Sequence, residues 1–207
     1  MAVYIPMRDL SGYLTKEQSK TLYSHCRNDR DRVLFLTLLY SGRRVSEVVR
    51  SLKPKHIDFS ENLIIWRIRK KNPRRRDPET KRFKRHKSPP KSSIKAAHPK
   101  LIASLRAYIR KRSIGPEQHV FSISTRRVRQ IFTRLGKDSG IEFVGEKPLH
   151  PHHMRHSFAI EAVKNIDSAA GIVLLQKNLD HTNIQTTMFY LQFAPKEQAK
   201  LMESMYK

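Results

Sequence analysis

The sequence predicts a mainly α-helical domain carrying one small antiparallel β-sheet, an α+β arrangement, on three observations. Its 207 residues are enough to enclose a core. Apolar residues recur at helical spacing in short runs opened by capping residues and closed by glycine or proline. The period changes to that of strands once, at residues 57–68, where Ile57, Phe59 and a run containing Trp66 gather.

Residues 1–12 show no clear period and read as an N-terminal arm ahead of a single domain at 13–207. Thr15 stands three residues before Gln18, a capping-box spacing that opens a helix to about Cys26. Asp29 or Asp31 opens a second helix through the apolar run 33–40, and Gly42 breaks it. A third, 44–52, places Val45, Val48, Val49 and Leu52 at helical spacing before Pro54. Residues 57–59 and 63–68, bounded by Ser60-Glu61-Asn62, then form two strands or a strand and its lead-in.

In residues 70–91, Lys70 is followed by ten more Lys or Arg, opposed only by Asp77 and Glu79, which reads as a cationic hairpin loop. Beyond Pro99 the text is helical again. Helix 101–111 carries Leu101, Leu105, Tyr108 and Ile109, and Ser124 caps 125–135, which Gly136 ends. Four further helical stretches follow at 148–165, 168–179, 184–190 and 196–206. The last groups Ala199, Met202 and Met205, and suits packing either over its own domain or onto a neighbouring copy.

Charge narrows the function. Lys plus Arg number 42 against 18 acidic residues, a net +24 that exceeds what solubility requires and points to a polyanionic partner. On composition alone, a ribosomal-protein-like RNA binder fits as well as a DNA-binding protein. The longest uncharged apolar run, 33–40, is too short to cross a bilayer, which argues against a membrane role. A single cysteine, Cys26, allows no intramolecular disulfide, and the first ten residues lack a signal peptide's apolar core and cleavage site. An intracellular protein of the cytoplasm or nucleoid is expected.

Three separated segments set Arg and His beside apolar anchoring positions: Gly42-Arg43-Arg44-Val45-Ser46-Glu47, His152-His153-Met154-Arg155-His156, and Leu179-Asp180-His181 followed by Thr186-Thr187-Met188-Phe189-Tyr190. In order and spacing they resemble the tyrosine recombinase (phage integrase) family, over about residues 13–193. That family's catalytic domain shows a Gly-x-Arg-x-x-Glu turn, a hairpin lysine, a His-x-x-Arg-His helix start, a Leu-Gly-His, and a tyrosine nine residues on. The resemblance implies a tyrosine recombinase catalytic-domain-like fold. It makes Arg44 the first catalytic arginine, oriented by Glu47. His152 and Arg155 take the His-x-x-Arg positions, His181 is the third-motif histidine and Tyr190 the nucleophile. Lys70 and Lys71 both qualify as the hairpin lysine, and strand alternation with Ile64, Trp66 and Ile68 favours Lys70. This chain departs from the pattern twice: Arg43 stands where the family usually has an apolar residue, and Asp180 where it has glycine. Asp180 either alters the turn before His181 or sets a carboxylate beside it, which would raise the His181 pKa.

The residues support that chemistry independently of the name. Cutting a phosphodiester without a metal requires a nucleophile, a proton donor for the departing oxygen, and cations around a five-coordinate phosphorus. Arg44 and Arg155 each offer a planar fork of donors to the non-bridging oxygens, and no carboxylate cluster is present to hold Mg²⁺. His152 is suited to take the tyrosine proton, His181 to hydrogen-bond the phosphate, and a cation-flanked lysine to act as general acid. No cofactor is called for. The alternative zinc reading of the histidines at 150–156 lacks a cysteine partner and embeds an arginine that would repel the ion. Tyr206 reads as a packing residue rather than a rival nucleophile.

The expected function is therefore a site-specific DNA recombinase or integrase, acting through a 3′-phosphotyrosyl intermediate without metal or ATP. Lys71, Arg74, Arg75, Arg76, Lys81, Arg82, Lys84 and Arg85 would grip the backbone of double-stranded DNA beside the scissile phosphate. Type IB topoisomerase-like relaxation and a noncatalytic nucleic-acid-binding module are the alternatives. The N-terminal clamping domain usual in the family has no counterpart before residue 13, so the sequence is either a catalytic half or a naturally minimal member. A monomer in free solution and a tetramer on DNA are expected.

Overall fold

A computed structural model describes residues 12–68, 74–76, 83–85, 91–166 and 168–193. Helix α1 (Lys16–Ser24) starts at the expected capping box: Thr15 Oγ1 accepts from the Gln18 amide at 3.1 Å, and Gln18 Oε1 accepts from the Thr15 amide at 2.9 Å. Helix α2 (Asp29–Ser41) is capped by neither aspartate. Asn28 does it, accepting from the Asp31 amide at 2.9 Å. Asp31 turns inward instead, its carboxylate fully buried between Arg30 and Arg134 at 2.9 and 2.8 Å. Gly42 ends α2 in the left-handed conformation, and α3 (Val45–Ser51) begins three residues later.

A 3₁₀ turn at Pro54–His56 leads into β1 (Ile57–Asp58) and β2 (Leu63–Ile68). Two short strands, β3 (Arg74–Arg76) and β4 (Phe83–Arg85), pair with each other, and β5 (Lys91–Ala96) returns along β2. The main sheet has the order β1-β2-β5 and is antiparallel throughout, with Ile57 opposite Ile64 and Trp66 opposite Ser93. Ile64 and Trp66 are buried on one face. Strand β5 does not show in the sequence, because its one large apolar residue, Ile94, faces solvent and pairing with β2 alone makes it a strand.

Helix α4 (Pro99–Lys111) starts earlier than expected, with Pro99 in its first turn and His98 Nδ1 accepting from the Lys100 amide. Helix α5 (Thr125–Ser139) runs past Gly136 to Gly140, which takes the left-handed conformation. Gly136 is a packing glycine rather than a stop: a Cβ there would lie 3.0 Å from the Ile141 carbonyl, where the chain doubles back. A small hairpin, β6 (Phe143–Val144) with β7 (Lys147–Pro148), turns at Gly145 and occupies the start of the helix expected from 148. Helix α6 (His152–Lys164) therefore begins four residues later, after Pro151.

Helix α7 (Ala169–Leu179) and the single turn α8 (Gln185–Met188) follow, and a 3₁₀ segment at Phe189–Phe193 carries Tyr190. Residues 1–11 of the arm expected at 1–12, and the helix expected at 196–206, lie outside the described residues. No helix among the described residues is long and apolar enough to cross a membrane.

Two apolar clusters hold the fold. The larger joins α1 to α5 and the sheet through Leu22, Leu34, Leu38, Val48, Trp66, Leu101 and Phe132, among others. Burying such side chains contributes roughly 2 kcal/mol each. The smaller consists of Ala159, Ile160 and Val163 of α6, Ile172, Leu175 and Leu179 of α7, and Tyr190. Helix α6 spans both, with Met154 in the first and Ala159 in the second, and Arg155 lies on it between them.

Candidate active site

Three chain turns converge on α6: the turn from α2 into α3, the turn after α7, and the 3₁₀ segment holding Tyr190. Arg44 is the residue immediately before α3. Buried Glu47 fixes it twice, accepting from the Arg44 amide at 3.1 Å and from Nη1 at 3.0 Å. Glu47 thus takes the orienting place expected of it. The Arg44 side chain remains 43% exposed, so its other donors are open to an incoming anion.

Arg155 is buried. Its Nη1 donates to the Gly42 carbonyl at 2.9 Å and its Nη2 to the Leu179 carbonyl at 2.5 Å, tying the two turns together. Burial, and then repulsion from Arg44, push its pKa down to about 10, opposed by Glu47 and Tyr190, and it remains a cation at neutral pH.

His181 follows the left-handed Asp180. Its amide donates to the Gln176 carbonyl at 3.1 Å, and its Nδ1 lies 2.9 Å from Thr187 Oγ1. Burial, then the charges of Arg155 and Arg44, bring its pKa to about 4, and Asp180 only partly offsets them. Asp180 does raise this histidine's pKa, as expected, but by less than burial and the two arginines lower it, so the charged form is not favoured and His181 is neutral at pH 7. Asp180 itself pairs with Arg43.

Tyr190 is 4% exposed and closes the smaller core. Its Oη lies 2.9 Å from Nδ1 of His156, and its ring stacks near His181 at 6.5 Å. Burial raises the phenol pKa, with Arg155 pulling the other way. The imidazole that meets the phenol is thus His156, one helical turn beyond His152. His156 stands within the second motif, where the sequence pattern assigns it no role. Its i,i+4 relation to His152, which puts both on one face of α6, was the available signal.

His152 is open to solvent at its rim, and its ring meets that of His156 edge-on at 4.7 Å. Desolvation on its inner side, followed by His156, Arg155, His150 and Arg44, lowers its pKa to about 4. The other imidazole nitrogens of this cluster bond the backbone: His150 Nδ1 accepts from the His152 amide and His153 Nδ1 from the His150 amide, each at 3.2 Å. Among the described residues no three His, Cys, Asp or Glu side chains converge on a metal position.

Arg44, His152, Arg155, His181 and Tyr190 are thus brought to one place, joined by His156. Lys70, Lys71, Lys81 and Arg82 lie outside the described residues. Arg74, Arg75 and Arg76 form β3, with Lys84 and Arg85 on β4. The register sets Arg74 opposite Arg85 and Arg75 opposite Lys84.

Comparison with known proteins agrees with this geometry. The chain is 30% identical over 215 residues to the tyrosine recombinase XerA of Thermococcus kodakarensis, an alignment covering 96% of this chain and 66% of that protein. The chain thus spans just under two thirds of that curated relative's length. The Tn1549 transposon integrase in complex with circular intermediate DNA superposes with a TM-score of 0.68 at 19% identity, covering 97% of this chain and 69% of that one. The catalytic domain of bacteriophage HP1 integrase does so with a TM-score of 0.62 at 20% identity, covering 92% and 93%. The sequence model of the phage integrase family matches residues 12–197, nearly all of the chain and every described site residue, and the chain belongs to that family.

Proposed function

We propose that this chain cleaves and rejoins double-stranded DNA at specific sites through a covalent 3′-phosphotyrosyl intermediate on Tyr190, as a site-specific recombinase or integrase using neither metal nor ATP. The observation that carries this reading is a buried tyrosine whose hydroxyl meets a histidine at 2.9 Å, beside a buried arginine that is itself tied to the turn bearing a second arginine. The relative's name, tyrosine recombinase, and the DNA held by the Tn1549 integrase support it.

Tyr190 Oη attacks the phosphorus, its proton passes to His156 Nδ1, the bond from phosphorus to the 5′ oxygen breaks, and that oxygen leaves as a hydroxyl with a proton from Lys70 or Lys71. Burial, then the neighbouring His150, Arg155 and Lys147, push the His156 pKa down from the ordinary imidazole value, which favours the neutral form that accepts a proton. The raised Tyr190 pKa keeps the phenol protonated until His156 takes its proton. Arg44 and Arg155 neutralise the charge that develops on the non-bridging oxygens, and His181 hydrogen-bonds one of them. One phosphoester replaces another, so the bond energy is kept for rejoining. The β3–β4 register sets cations opposite one another, an unfavourable arrangement that a DNA backbone would relieve. Exchange between two duplexes calls for four copies on DNA, assembling from a free monomer.

The test is a pool of randomised duplexes carrying a nick, so that cleavage near the nick releases a short strand and traps the enzyme. Denaturing capture should recover protein-linked DNA of limited sequence, bearing a free 5′-hydroxyl on the released strand. Tyr190→Phe should recover none. A pool that yields no adduct contradicts the reading, and plasmid relaxation without exchange between two marked sites would favour a topoisomerase instead.

A further inference from the structure

The two positions at which this chain departs from its family's pattern, Arg43 and Asp180, are 137 residues apart in sequence and meet in the fold. The Arg43 side chain is 2% exposed, its Nη1 ion-paired with the Asp180 carboxylate and its Nη2 donating to the Asn178 carbonyl at 2.7 Å. The guanidinium lies over the Trp66 ring, 5.4 Å from its centroid. Lys95, on β5, donates to the Lys177 carbonyl at 2.6 Å and stands 3.9 Å from the other Asp180 oxygen.

The neighbours of these residues give the pair its meaning. Arg43 directly precedes Arg44, and Asp180 directly precedes His181. Arg155 already ties Gly42 to Leu179, so the Arg43 side chain adds a second tie between the same two turns, one residue further along each. Arg155 also has to serve the phosphate, whereas Arg43 is buried away from solvent and has only the turns to hold. We propose that Arg43 and Asp180 are a matched pair of positioning residues that sets Arg44 and His181 on either side of the Arg155 guanidinium, a proposal that rests on the strand-cleavage reading above.

Each residue alone is a poor choice. Asp180 occupies a left-handed conformation, φ 51°, where glycine is free of steric cost. Arg43 places a guanidinium on the sheet side of the turn, where an apolar side chain would pack without a charge to neutralise. Each defect is answered by the other, which makes the pair one unit rather than two tolerated substitutions. Removing Arg43 leaves the Asp180 carboxylate beside His181 to the more distant Lys95, 3.9 Å away. Removing Asp180 strands a guanidinium on Trp66.

The test compares the native protein with Arg43→Leu, Asp180→Gly, the double variant and Arg43→Lys. Without DNA, backbone hydrogen exchange in segments 42–46 and 176–181 should quicken in both single variants and return to the native rate in the double. With nicked duplex at saturation, each single variant should form the adduct roughly ten- to a hundredfold more slowly, the scale of a small misplacement of reacting groups. DNA affinity should stay within about threefold, because phosphate contacts elsewhere supply most of it. The double variant should recover to within about threefold of native, the signature of coupled sites. Arg43→Lys, which keeps the charge but not the two-armed fork, should fall between.

Native exchange and native rate in the single variants would overturn the proposal, as would a double variant no faster than the slower single. If Arg43→Leu fails to fold, Asp180→Gly and the double variant still decide the matter. If the native protein forms no adduct at all, the cleavage reading falls, and the exchange measurements alone decide whether the pair fixes the turns.

Discussion

On the proposed strand-cleavage reading, Tyr190 and His156 carry the chemistry at the scale of single residues. A buried phenol with a raised pKa is a poor nucleophile until a neighbour takes its proton, and the imidazole in reach is His156. Replacing His156 by glutamine should slow adduct formation by about 10²- to 10³-fold at pH 7, within the usual range for a general base, and His152→Gln should cost less. Single-turnover cleavage of a nicked duplex measures both. The acid limb of the pH–rate profile should lie below pH 6.5, since His156, His152 and His181 all have lowered pKa values and each, once protonated, adds a cation to the Arg44–Arg155 cage. The same shifts set stability. Between about pH 6.5 and 4 the unfolded chain binds more protons at His152 and His181 than the folded one, so stability rises with pH across this window and is lost as pH falls through it. A series of thermal melts should show this decline, and a flat series would contradict it. Arg44, Arg155, His181 and Tyr190 were legible in the sequence because each belongs to a motif of fixed local spacing. The His156–Tyr190 and Arg43–Asp180 contacts were not, because only the packing of α6 against the 3₁₀ segment, and of the turn after α7 against the α2–α3 turn, brings those residues together.

Among the elements, helices announced themselves through caps and apolar periods, and the misreadings fall where tertiary contact overrode a local signal. Glycine illustrates both outcomes. Gly136 looks like a helix stop and is a crossing point. Gly42 looks like a helix stop and is one, with a second task, because its carbonyl holds Arg155. A Cβ at Gly42 would sit 2.5 Å from the Phe158 ring and face a left-handed backbone. Gly42→Ala should therefore destabilise the fold by about 1–3 kcal/mol and slow cleavage beyond what unfolding explains. Gly140 is also left-handed, but nothing lies within 4 Å of a Cβ there. Gly140→Ala should cost roughly 1 kcal/mol and leave the cleavage rate of the folded protein unchanged. Urea denaturation alongside single-turnover kinetics separates the two variants. Strand β5 was invisible for the complementary reason: Ser92, Ser93 and Lys95 have little strand preference, and the ladder with β2 supplies the structure.

For the whole molecule, the net charge of +24 first read only as an affinity for polyanions. The fold places one part of that charge in a small fixed group at the junction of two apolar cores and another on the paired strands β3 and β4. If six to ten phosphates are neutralised across this surface, binding should weaken by about 10³- to 10⁵-fold between 50 and 200 mM salt. Fluorescence anisotropy over a salt series measures the slope, and a shallow one would mean that few phosphates are touched. Helix α6 joins the two cores and carries His152, Arg155 and His156, so a loss of packing in either core should reach the chemistry. The most direct test of the whole account is tandem mass spectrometry of the protein digested after reaction with nicked duplex DNA. One nucleotide-bearing peptide is expected, modified at Tyr190, present in native protein and in Tyr206→Phe but absent from Tyr190→Phe. A modification at another residue, or one that persists in Tyr190→Phe, would contradict it.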